Sequence, residues 1–172
     1  MMQDNPEEML PIVDEDGHCT GTATRAECHS GSKLLHPVVH LHLYDTAGRL
    51  YLQKRPLWKD IQPGKYDTST GGHMAPGESV REALRREVRE ELGITEFEPE
   101  HLYTYIFESD RERELVNVFR AVTAEMPRPS DELDGGCFMS SEEIESAIRD
   151  GLLTPNFVHE YRTILGSASN QK

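Results

Sequence analysis

Apolar and polar positions along the chain fall into short alternating runs at both ends of a longer helical repeat. Pro11 to Val13 reads as the start of a strand, and Asp14-Glu15-Asp16-Gly17 is turn chemistry. His36 to Tyr44 predicts a buried strand, with Val38, Val39, Leu41, Leu43 and Tyr44 as its apolar mass. A turn at Asp45 to Gly48 leads to a second strand, Leu50 to Gln53, which predicts a hairpin. Arg55 to Lys65, with Pro56, Pro63 and Gly64, reads as a loop, Tyr66 to Thr70 as a short strand, and Gly71 to Gly77 as another loop. Ser79 to Leu92 is the strongest helix. Val80, Ala83, Leu84, Val88 and Leu92 share one side of it, and Gly93 stands at its stop.

Beyond that helix, Leu102 to Phe107 and Leu115 to Val122 read as strands paired across the Ser109 to Glu114 turn. Cys137 to Met139 reads as a last strand. Ser141 to Arg149 is a helix capped by the Ser140–Glu143 box, and Pro155 to Leu165 is a helix with Thr154 as its cap. Strands, an internal helix, more strands and terminal helices predict a mixed, layered α/β domain. One domain over 1–172 is expected, with about 1–9 and 167–172 loose.

Composition narrows the partners. The 172 residues carry 18 Lys and Arg against 31 Asp and Glu, a net charge of −13. Such a surface repels a phosphate backbone, which argues against a nucleic acid polymer as partner. No apolar run approaches the roughly 18 residues of a membrane span. The N-terminal stretch, with Asp4, Glu7, Glu8, Asp14, Glu15 and Asp16, is unlike a signal peptide. Cys19, Cys28 and Cys137 show no CxxC spacing and read as small packing residues, so a cytoplasmic protein is expected. Oligomeric state stays open, a homodimer being one alternative.

The candidate chemistry lies on the central helix. At about 100° per residue, Glu87, Glu90 and Glu91 share a sector of roughly 100°. Glu87 and Glu91 also fall toward the core side, where a carboxylate needs a partner. A surface helix laced with alternating charges, Glu82, Arg86 and Glu90, is the alternative reading. A Gly-rich loop, Gly71-Gly72-His73-Met74-Ala75-Pro76-Gly77, leads straight into the helix. From Gly72 the order is Gly, five residues, Glu78, seven residues, then Arg86-Glu87-Val88-Arg89-Glu90-Glu91-Leu92-Gly93-Ile94.

This segment resembles the Nudix box at each of its defining positions, and the flanking strand order extends the likeness over about residues 29–150. The resemblance implies a Nudix-type α/β/α sandwich with a mixed sheet. It implies Glu90 and Glu91 as metal ligands, joined by Glu87 and the backbone carbonyl of Gly71, with Arg86 pairing with Glu78. The metal would be Mg²⁺, or Mn²⁺ in its place. Both are hard ions that carboxylates and substrate phosphates share. Some relatives take their general base from the region of Glu132; an exposed loop acid is the other reading.

Within that superfamily the chain is similar to the isopentenyl-diphosphate isomerase-like branch. His29, His36, His73, Glu112 and Glu114 match the pattern that holds a metal at the catalytic centre there, which makes them a candidate second metal site here, while hydrogen-bonded strand-end histidines are the alternative. Arg55 and Lys59 fall where those enzymes grip diphosphate, or are solvated loop cations. His40 and His42 read as structural. The isomerases carry a catalytic cysteine at the position of Gly71, which here is expected to need glycine's backbone freedom. The expected function is therefore a Mg²⁺-dependent hydrolase of a small-molecule diphosphate, either a nucleoside diphosphate derivative or another organic diphosphate. The alternatives are isomerase activity on isopentenyl diphosphate and a non-catalytic diphosphate-binding regulator. Trp58, Tyr66, Tyr103 and Phe157 are candidates for recognising the organic group, or else core and rim residues.

Overall fold

The computed structural model describes residues 4–59 and 61–169. Residues 4–8 turn back onto the first helix, where Ala26 N–H donates to the Pro6 carbonyl, 3.0 Å, and Arg25 N–H to the Glu8 carbonyl, 2.7 Å. The chain is thus built into the fold from residue 4, against the loose end expected for 1–9. β1 (Met9–Val13) and β2 (Cys19–Thr24) form a small antiparallel sheet. α1 (Arg25–Cys28) follows, held by a capping box between Thr24 and Glu27.

The main sheet contains β3 (Leu35–Tyr44), β4 (Leu50–Lys54), β5 (Tyr66–Asp67), β6 (Thr70–His73), β7 (Glu100–Glu108), β8 (Arg113–Val122) and β9 (Gly136–Met139). Its main path runs β5-β4-β3-β8-β7, with β6 on β3 and β9 on β4. β3 and β8 are parallel over ten residue pairs, from Leu35↔Arg113 to Tyr44↔Val122, and the other pairings are antiparallel, so the sheet is mixed.

Alternation along β3 assigns its two faces. Val39, Leu41 and Leu43 join Phe119 and Ala121 beneath α2 (Val80–Leu92), which contributes Ala83, Leu84, Val88 and Leu92. On the opposite face Leu50 and Leu52 pack against Ile144 and Ala147 of α3 (Ser141–Arg149) and Phe157 and Tyr161 of α4 (Pro155–Ser169). The result is the expected α/β/α sandwich. Helix α4 continues through 167–169, where the sequence reading expected a loose end, and 170–172 lie outside the described residues.

Two local expectations change. The hairpin between β3 and β4 is confined to the pair Tyr44↔Leu50. Farther along, the Ser69 hydroxyl stands between the two strands, accepting from Leu43 N–H and donating to the Tyr51 carbonyl. A side chain thus replaces the ladder, and β6 takes up β3 from Val38 to Leu41. Accordingly Gly71 and Gly72 lie in a strand rather than in the predicted loop.

Candidate active site

Helix α2 starts cleanly because Ser79 Oγ accepts from Glu82 N–H, 3.1 Å, and it stops at Gly93, whose φ of 66° is left-handed. Its middle is tied to the preceding loop by one guanidinium. Arg86 donates to both Glu78 oxygens, at 2.7 and 2.9 Å, and to the His73 carbonyl at 3.0 Å. It also reaches Glu87 at 2.8 Å and Glu90 at 3.3 Å. Glu78 in turn accepts from Ala75 N–H, 2.9 Å, and Arg86 holds its carboxyl below the usual range.

The three box carboxylates differ in environment. Glu90 is exposed, Glu87 is mostly covered, and Glu91 has a buried oxygen, Oε2, without a hydrogen-bond partner. Burial raises the Glu87 carboxyl despite Arg86. Burial, with Glu87 beside it, pushes Glu91 well above the ordinary carboxylate range. Carboxylates crowded in this way ionise together only if a cation joins them. Gly72 permits the crowding: a Cβ there would lie 2.2 Å from the Glu87 carboxyl carbon.

The histidines gather on the other side of the same strand. The rings of His29, His36 and His73 lie 5.4 to 5.5 Å apart, centre to centre. Their ligand nitrogens fall within 4.8 Å of one another, and His36 makes a second such group with Glu112 and Glu114. Nε2 of each of the three rings is buried without a hydrogen bond, although Glu112 Oε2 stands 2.9 Å from that of His29. Burial keeps His36 and His73 below their ordinary values, hence neutral. Burial and Glu112 raise Glu114 to about 7. Clustered imidazole nitrogens beside two carboxylates have the donor chemistry of a divalent-metal site.

β6 joins the two groups. Among the described residues it pairs with β3 alone, and Gly71 and Gly72 add no side chains; a cavity of about 1020 Å³ lies against this strand. Glu87, Glu90 and Glu91 line it at one end, and His29, His73, Glu112 and Glu114 at the other. Gly71 itself has no left-handed backbone, contrary to the sequence expectation. A Cβ there would instead meet His40, 3.2 Å from its Cδ2.

The cations at the mouth are engaged. Arg55 donates to the Ile61 carbonyl, 3.0 Å, and to Asp67, 3.4 Å. Lys59 reaches Asp4 at 3.3 Å and lies 4.8 Å above the Trp58 ring. Of the four aromatic candidates only Trp58 lines the cavity. Phe157 and Tyr66 belong to the core under α3 and α4, and Tyr103 packs against Val38, Val116 and Val118. Glu132 is exposed and also lines the cavity.

Sequence reasoning missed two parts of this site. Asp4, Glu8 and Arg25 form ion pairs at its rim, Arg25 reaching Glu8 at 3.1 Å and Asp4 at 3.4 Å. The Thr24–Glu27 capping box was the available signal for the helix that places Arg25. The other part is Glu160 of α4. It is fully buried and meets His40 Nδ1 at 2.6 Å, His42 Nε2 at 2.9 Å and the Tyr105 hydroxyl at 2.7 Å. Burial works against both charges in this group, yet His40 holds Glu160 far down and Glu160 pushes His40 up to about 9.

A mixed sheet between helices, with a carboxylate helix entered through a glycine-rich strand, defines the class of fold. The chain belongs to the NUDIX family: the NUDIX domain profile matches residues 34–160. Within it, the chain is 39% identical over 94 residues to an isopentenyl-diphosphate Delta-isomerase of Mycolicibacterium vanbaalenii, covering 55% of this chain. That match spans about half, 52%, of the relative's length. The chain is also 31% identical over 148 residues to an uncharacterized Nudix hydrolase of Yersinia pestis, covering 84% of this chain and 81% of that one. Among solved structures, a Deinococcus radiodurans protein superposes with a TM-score of 0.71 at 25% identity, over 86% of this chain and 92% of that one.

Proposed function

We propose that this protein is a divalent-metal-dependent hydrolase that cleaves the diphosphate linkage of a small organic molecule, such as a nucleoside diphosphate derivative. The observation that carries the reading is the complete carboxylate set of α2, with an orphaned buried oxygen on Glu91 and a bare glycine strand beside it. Glu87, Glu90, Glu91 and the Gly71 carbonyl would hold Mg²⁺ or Mn²⁺, and the histidine group with Glu112 and Glu114 would hold a second ion. Bound metal supplies charge neutralisation at the diphosphate and a more acidic water. Arg86 fixes Glu78 and Glu87 so that the carboxylates are positioned before substrate arrives. Arg55 and Lys59 exchange their present acidic and carbonyl partners for phosphate oxygens. We place the reaction in the cytosol, in keeping with an acidic chain in which no described helix is long and apolar enough to cross a membrane.

The relatives named as isomerases favour a second reading, rearrangement of isopentenyl diphosphate. Moving a proton across an alkene needs a placed acid and base. None of the three cysteines lines the cavity: Cys19 and Cys137 are exposed elsewhere, and Cys28 is packed with Leu10 and Ala23. A panel of diphosphates with Mg²⁺ should yield phosphate or a monophosphate, and excess EDTA should abolish the release. Proton NMR of isopentenyl diphosphate with the same protein should show no dimethylallyl product. Rearrangement well above background, or full turnover in EDTA, overturns the proposal.

A further inference from the structure

Glu160 lies outside the box helix and is fully buried, yet it takes three hydrogen bonds from residues around the cavity floor. An isolated buried carboxylate is costly, so a set of partners this complete does more than fill space. Of the two histidines it holds, His42 is buried against Phe157, while His40 lines the cavity. Nδ1 of His40 is committed to Glu160, 2.6 Å away. Among the described residues its Nε2 has no hydrogen-bond partner, and the side chain, 17% exposed, lines the cavity. The ring lies against Gly71, one residue from the glycine that receives the Glu87 carboxylate and two from His73. His40 therefore lines the cavity against the Gly71–His73 strand, the strand that separates the box carboxylates from the histidine group.

We infer that His40 is a substrate-contacting residue of this site, with Nε2 meeting the diphosphate and Glu160 acting as the positioning residue that fixes the ring. This rests on the diphosphate reading above. Glu160 locks the ring's tautomer and rotation, as second partners of functional histidines do. Its other two contacts, from His42 and Tyr105, keep the carboxylate itself from swinging.

Asparagine and glutamine separate the two ring nitrogens. His40→Asn retains an amide near Nδ1 for Glu160 and removes the Nε2 edge, whereas His40→Gln places an amide near Nε2. The probe is methylene diphosphonate, a non-hydrolysable diphosphate, bound to the full chain with Mg²⁺ and followed by calorimetry. His40→Asn, compared with wild type at a temperature where circular dichroism shows both folded, should weaken probe binding about tenfold or more. His40→Gln should recover part of the loss. In ¹⁵N NMR of the wild type, the His40 Nε2 signal should shift on adding the probe. Unchanged affinity in His40→Asn, or an unmoved Nε2 signal in a wild type that does bind, overturns the inference and leaves the hydrolase reading intact. If His40→Asn fails to fold, the NMR arm decides. A wild type that neither binds the probe nor hydrolyses any diphosphate overturns both.

Discussion

One methyl group is the margin at Gly72. A Cβ there would stand 2.2 Å from the Glu87 carboxyl carbon and 2.5 Å from one of its oxygens, so Gly72→Ala must push the carboxylate aside. Displacing a reacting group by about 1 Å can cost on the order of 10²-fold in rate, and steady-state kinetics should show that loss in kcat for a variant that still folds. Glu91→Gln keeps shape and removes a ligand charge. Its kcat should also fall by on the order of 10²-fold or more, and a variant within about threefold of wild type would remove Glu91 from the metal set. Arg86→Met tests the anchor. It leaves Glu78 and Glu87 without their guanidinium, 14% exposed each, and chemical denaturation should show a loss of about 1–3 kcal/mol.

Among the elements, α4 contributes more than its apolar face. Burial would raise the Glu160 carboxyl, but His40 and His42 hold it below its ordinary 4.5. A carboxylate depressed in the folded state stabilises above its unfolded value and loses that contribution as pH falls toward its folded value. Thermal melts of the wild type should therefore drop steeply below about pH 4.5, and Glu160→Gln, less stable at neutral pH, should show a flatter acid limb. Parallel acid limbs in the two proteins would remove the ion from this network.

Regular elements were legible where local signals and tertiary context agreed. Helix α2 has its cap at Ser79, its apolar stripe and its stop at Gly93, and both terminal helices carry readable caps. The glycine strand was misread because glycine disfavours strands on its own, and what keeps it extended is pairing with β3. The carboxylates of α2 and the Arg86–Glu78 pair were readable because they are close in sequence. Glu160 falls at i+3 from Phe157, on the buried side of α4, but its partners His40 and His42 lie 120 and 118 residues away, so the sequence does not show what satisfies a carboxylate there.

For the molecule as a whole, two groups of metal-type donors on opposite sides of β6 are candidates for binding ions independently. Ions that bind only the folded state raise its stability, by about 2.7 kcal/mol at a hundredfold excess over Kd. Thermal melts should rise with Mg²⁺ and rise further with Mn²⁺. His36→Ala should lose the added Mn²⁺ increment and keep the Mg²⁺ response, while Glu91→Gln should do the reverse. Identical responses in the two variants would mean a single shared site.

The contact between positions 40 and 71 sets a rule of exchange for this scaffold. With glycine at 71 the floor accepts a full imidazole. A β-carbon at 71 would come within 3.2 Å of that ring, so the ring must give by a few tenths of an ångström before a side chain fits above it. The two positions share one allotment of volume, and a thiol placed over the cavity competes with the histidine beneath it. Gly71→Cys should lower the melting temperature in the natural background and lower it less when combined with His40→Ser. A double-mutant cycle measures that coupling directly, and strictly additive losses would show that the floor yields instead. Placing a thiol over this floor would then take two coupled substitutions rather than one.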